Sequence, residues 1–171
     1  MNYNPTTRNR IADINRGLLV ESSVFANITY LKRTQTEVFT IKGCIMLLQL
    51  FIEGITDSGT GATLMTFNYT FTTPAISVKA MSLVTTSIAS LPRGWRATWM
   101  GGAVGGSVIG LTVATGGCSD LICTTPMLLG GEGFIGTIGM LGTIADQASG
   151  TSQVVAAYVP MSDGAQLSKL L

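Results

Sequence analysis

Residues 37–55, EVFTIKGCIMLLQLFIEGI, decide the fold. Phe39 and Ile41 alternate with Val38, Thr40 and Lys42, and after Gly43 the even positions Met46, Leu48, Leu50 and Ile52 are all apolar. The odd positions Ile45, Leu47, Gln49, Phe51, Glu53 and Ile55 are interrupted by an amide and a carboxylate. Alternation of this kind marks a half-buried strand. The stretch therefore reads as a central strand, buried on the unbroken apolar face and partly covered on the other. A short buried helix over 44–53 is the rival, because an apolar run alone does not separate the two. Gly43, Gly54 and the Thr-rich neighbours favour the strand.

Turn chemistry punctuates the chain on either side. Asp57-Ser-Gly-Thr-Gly61 is a turn signal, and the strand TLMTFNYTF at 63–71 follows it, with Met65, Phe67, Tyr69 and Phe71 on one face. The expectation is a hairpin between this strand and the central one, with a loop longer than two residues. Thr73-Pro74 breaks the pattern, 76–91 is rich in Ser, Thr, Val and Ile, and Leu91-Pro-Arg-Gly94 turns again. Further strands are expected at 107–115 and 153–159, the latter ending at Pro160 before an exit turn at Met161–Ala165. Gly133, Gly136, Gly139 and Gly142 lie in another segment read as a strand, where they let a second backbone approach closely. Roughly eight strands between Gly, Pro, Ser and Asp clusters predict an all-β fold, a sandwich or barrel.

Two features have more than one reading. Trp95 and Trp99 sit four apart, which suits core packing and also a subunit interface, where Trp and Arg are enriched. No charge occurs between Arg96 and Asp120, a span long enough to consider a membrane crossing. Seven of the seventeen residues 101–117 are Gly, however, with Val, Ile and Thr alternating, and a glycine-flanked strand fits better.

Composition narrows the function classes. At 171 residues one domain with a substantial core is expected. Charged residues are only 11%, against about a quarter in ordinary soluble proteins. A surface so poor in charge is expected to be covered by partners or by lipid. The net charge of +1 gives no electrostatic case for nucleic acid as a partner. The sequence has no His, which removes the commonest general base and transition-metal ligand. The cysteines Cys44, Cys118 and Cys123 form neither a disulfide framework nor a zinc pattern, so reduced, mostly buried thiols are expected. No Walker loop, calcium loop or catalytic set is present, and neither enzyme activity nor a cofactor is expected.

Residues 1–17 are polar and carry Arg8, Arg10 and Arg16 against the single acid Asp13. They read as an extended N-terminal arm lying across a partner, or as a solvated terminus, ahead of a single β-sandwich domain over 18–171. The start lacks the apolar core of a signal peptide, which points to synthesis and use on the cytosolic side.

The Gly-rich segment Gly133–Ala145, the turn Asp146–Gly150 and the strand Val154–Ala165 with its run Tyr158-Val-Pro-Met-Ser-Asp-Gly164 resemble small structural proteins of tailed bacteriophages. Glu37–Gly43 is similar to an early F-x-V-x-G strand of the same proteins. The resemblance spans about half the chain in two blocks, and the arginines of 1–17 and the Trp95/Trp99 pair depart from it. It implies a virion component on the capsid surface, made in the host cytoplasm. The expected role is a capsid decoration (cement) protein, a jelly-roll-like homotrimer bridging subunits of the major capsid protein. On that expectation Arg8, Arg10, Arg16, Trp95 and Trp99 are the candidate interface residues, with neither nucleic acid nor membrane as a partner. A phage tail or fibre component is the alternative, which would present a polar or aromatic pocket at one end. A small membrane protein is the second alternative.

Overall fold

The quoted stretch is a single strand. A computed structural model describes residues 22–29, 33–61, 63–73, 75–82, 85, 87–101, 109–112, 126–142 and 149–170. In these it places β1 (Ser22–Ile28), β2 (Thr36–Gly54), β3 (Met65–Thr73), β4 (Ala75–Ala80), β5 (Arg96–Trp99), β6 (Ile109–Thr112), β7 (Met127–Gly142), β8 (Ser152–Pro160) and β9 (Gln166–Lys169), and no helix. The all-β expectation holds, and the helix reading of 44–53 does not. Arg8, Arg10, Arg16 and the arm 1–17 lie outside the described residues.

The long strand β2 has 19 residues, and its two edges serve four partners. One edge pairs with β7 over 36–47 and then with β5 over 51–53. The opposite edge pairs with β9 over 39–42 and then with β8 over 45–54. Beyond these, β7 carries β3 and then β4, β8 carries β1, and β5 carries β6. All pairings are antiparallel and belong to one continuous sheet.

A straight 19-residue strand would run about 60 Å, while a domain of this size has a radius of gyration of about 16 Å. The strand must therefore bend, and its register slips at three places, between Glu37 and Phe39, Lys42 and Cys44, and Leu47 and Gln49. At the second slip four residues of β7, 131–134, stand opposite Gly43 alone. Gly43 has a φ of +74° and Gly130 one of +84°, and a Cβ on Gly130 would run into the Gly43 carbonyl oxygen. Glycine at both positions is what lets the two backbones pass this closely. Phe134 closes the excursion by setting its ring edge-on to Phe71, with centroids 5.2 Å apart.

The third slip corrects the sequence reading. Leu47 pairs with Tyr158 and Gln49 with Ala157, so Leu48 is an extra residue and the phase flips there. The inward set is Phe39, Ile41, Ile45 and Leu47 before the bulge and Leu50 and Ile52 after it, all fully buried. Met46 and Leu48, expected on the apolar inner face, pack instead on the outer side with Cys44, Val159 and Met161. The inward residues of both halves join one core, with Ala26, Val154 and Ala156 from the β1–β8 side and Phe67, Ile138, Met140 and Leu167 from the β3–β7–β9 side. The sandwich-like packing is thus made by one sheet folding on itself about β2.

The expected hairpin between β2 and β3 is absent, because β3 pairs with β4 and β7. The turn at 57–61 is pinned elsewhere. Ser58 Oγ donates to the Ile88 carbonyl (2.6 Å) and accepts from the Leu91 amide (2.7 Å), and Asp57 Oδ1 accepts from the Arg93 amide (2.6 Å). This holds residues 88–93 against the end of β2 and leads the chain into Trp95.

Gly54, the last residue of β2, lies flat under the Trp95 indole, and a Cβ there would overlap the indole nitrogen. Both partners are buried, so neither moves aside cheaply. Gly54→Ala is expected to cost about 1–3 kcal/mol. Equilibrium urea unfolding checks it, and an unchanged midpoint would refute the contact.

Candidate interaction surfaces

Strand β8 is apolar on both faces. Val154, Ala156 and Tyr158 point into the core, while Val155, Ala157 and Val159 point outward. Cross-strand pairing extends the outward row. Val155 stands between Phe25 of β1 and Phe51 of β2, and Val159 stands beside Met46, whose other neighbour is Leu128 of β7. Phe25 is 61% exposed and Leu128 48%. These make a broken apolar band of two rows on the outer face, Phe25–Val155–Phe51 across β1, β8 and β2 and Val159–Met46–Leu128 across β8, β2 and β7, each about 10 Å across and about 13 Å apart along β8. Phe25 and Leu128 are its exposed members, Val155, Phe51 and Met46 are half-buried, and Val159 is buried.

A polar row borders the band one step along the strands. It runs Asn27, Gln153, Glu53, Arg96 across β1, β8, β2 and β5. Gln153 Nε2 donates to Asn27 Oδ1 at 3.2 Å, and Arg96 Nη2 donates to Glu53 Oε2 at 2.8 Å. The Arg96 guanidinium also sits 4.6 Å from the centroid of the Phe51 ring. These are partly solvated contacts, each contributing on the order of 1 kcal/mol or less. Their effect is to fix Phe51 and mark the edge of the band.

An open cleft of about 980 Å³ adjoins the Asn27 end of that row, between the end of β1 and the start of β2. Asn27, Thr29, Thr34, Gln35, Thr36 and Glu37 supply polar lining. Opposite them stand Thr70 of β3, Val78 of β4 and Leu170, with Ile28 beneath. Gln35 Nε2 donates to Thr70 Oγ1 at 3.4 Å, and Thr137 Oγ1 donates to Glu37 Oε1 at 3.1 Å. One carboxylate and no cation line the cleft among the described residues.

Among the described residues no group of three or more His, Cys, Asp and Glu side chains gathers. Trp95 and Trp99 are 0% exposed, so both take the core reading and offer no surface to a partner. Trp99 Nε1 donates to the Met81 carbonyl at 3.2 Å, which ties β5 to the end of β4. The surfaces that the sequence reading missed are Phe25, Phe51 and Leu128 on the band and Asn27, Gln35 and Glu37 in the cleft. Phe25 lies outside every stretch that alternation marks as a strand, and the phase of Phe51 depended on a bulge that alternation does not signal.

Core and band positions respond differently to substitution. Trp99→Ala is expected to cost about 3–5 kcal/mol, a large share of the stability of an ordinary domain. Phe25→Ser, on the outer face, is expected to stay within about 0.5 kcal/mol. Thermal unfolding of the two variants side by side checks the assignment, and equal losses would contradict it.

Comparison with family models, curated proteins and solved structures returns no match for this chain.

Proposed function

We propose that this chain is a virion structural protein, a capsid decoration protein that works as a homotrimer and bridges subunits of the major capsid protein. The observation that carries the reading is the apolar band on the outer face, centred on Phe25, Val155, Phe51, Met46 and Leu128. Exposed Phe25 and Leu128 with half-buried apolar neighbours, bordered on one side by a polar row, are what a protein contact needs at its centre. The low charge of the sequence and its resemblance to small phage structural proteins point the same way.

The size of the band bears on how it would work. At about 10 by 13 Å the band covers far less than the roughly 800 Å² per partner of a standard interface. It serves as one contact of several, and repetition by symmetry multiplies such contacts into a stable lattice. The arginines Arg8, Arg10 and Arg16 would supply a second contact by pairing with carboxylates on the capsid. A second reading, a tail or fibre component, draws on the polar cleft, since a receptor-binding tip would carry such a pocket.

The test is imaging of particles that carry this chain, together with a double substitution Phe25→Glu and Leu128→Glu. The variant is expected to fold, to lose self-association by sedimentation, and to occupy particles at least tenfold less than the unaltered chain. Full occupancy by the variant, or density for the chain on the tail alone, would overturn the decoration reading.

A further inference from the structure

We infer that the cleft between the end of β1 and the start of β2 is a binding site whose ligand is a neutral, hydroxyl-rich molecule of the saccharide class. Its volume, about 980 Å³, is at the upper end of small-molecule sites and accommodates a short oligosaccharide. The inference does not depend on where the chain sits in a particle.

The lining selects the class. Anionic ligands such as phosphates would meet the Glu37 carboxylate with no described cation in the wall. A metal cation would need several carboxylates, and there is one. A purely apolar ligand would strip water from hydroxyls and amides without replacing their hydrogen bonds. A polyol offers both donors and acceptors at short intervals, which is what amides and hydroxyls can match.

Each polar anchor is held by one bond and keeps a group to spare. Asn27 Oδ1 accepts from Gln153, which leaves its amide N–H₂ to donate. Gln35 uses its N–H₂ on Thr70, which leaves its carbonyl oxygen to accept. Glu37 Oε1 is bonded by Thr137, which leaves the second carboxylate oxygen to accept from a hydroxyl. Pre-set side chains of this kind reduce the entropy lost on binding. Val78 and Leu170 are 51% and 48% exposed at the same cleft, and the C–H face of a sugar ring would cover them.

The purified full chain is applied to an array of neutral oligosaccharides built from glucose, galactose, mannose and N-acetylglucosamine, with sialylated and phosphorylated glycans as charged comparators. Binding of at least one neutral glycan is expected, confirmed by calorimetric titration. Asn27→Ala and Gln35→Ala are each expected to weaken that binding about tenfold. Phe25→Ser, on the outer band, should leave it unchanged, so failure here and failure of the decoration reading are separate results. Thermal unfolding verifies that the variants fold. Should an alanine variant not fold, Thr70→Val removes a lining hydroxyl at similar volume and is expected to weaken binding too. The inference is overturned if no neutral glycan binds, if only the charged comparators bind, or if the cleft substitutions leave affinity unchanged.

Discussion

Hydrogen bonding along both edges of β2 is the constraint on which the other elements depend. A strand inside a sheet must satisfy its backbone groups on both sides, since an unpaired buried amide or carbonyl costs as much as a lost hydrogen bond. Over 19 residues no single neighbour does this, so four strands share the two edges. Each change of partner coincides with a local departure from regular pairing. Gly43 with its positive φ sits where β9 gives way to β8, and the Leu48 bulge precedes the stretch where β5 replaces β7. The bends bring the inner faces of two sheet regions onto one core, so the sandwich follows from the length of one strand and the glycine that lets it turn.

The fold class was legible because alternation and turn chemistry are local. The strands expected at 37–55, 63–71 and 153–159 correspond to β2, β3 and β8 within a few residues. What misled was also local information standing in for pairing. The Asp57–Gly61 turn implied a hairpin, yet its Ser58 and Asp57 side chains bind residues 88–93, and β3 finds its partners in β4 and β7. The even-numbered apolar series after Gly43 looked like one face, but a single unpaired residue exchanged the faces halfway along. Apolar residues on both sides of the bulge concealed the flip, since Met46 and Leu48 are as hydrophobic as Ile45 and Leu47.

The interaction surfaces were less legible than the core. Trp95 and Trp99 drew notice as interface residues because of their type, but their placement follows from β5 pairing with β2 at Ile52 and Glu53. That register turns Ala97 and both tryptophans inward and Arg96 outward. The cleft joins residues near 27–37 to residues 70, 78 and 170, and no spacing in the chain announces such a meeting. Threonine, asparagine and glutamine are ordinary strand-surface and connection residues, so only their convergence gives them a distinctive chemistry.

On the proposed reading, the arrangement of charge on the outer face would let so weakly charged a chain bind a partner in one orientation. The apolar row Phe25, Val155, Phe51 runs directly beside the polar row Asn27, Gln153, Glu53, Arg96. Burial of the first row would supply the attraction, which is non-directional. The second row carries a carboxylate, a guanidinium and two amides in fixed order, and a partner displaced by one strand would set unlike groups out of register. Rim charges contribute to orientation and rate of encounter more than to affinity. Arg96 links the two rows physically, because the same guanidinium that meets Glu53 also lies over the Phe51 ring. A few well-placed charges at the edge of an apolar band would therefore suffice to orient such a contact, and a larger number within it would only raise the desolvation cost of forming it.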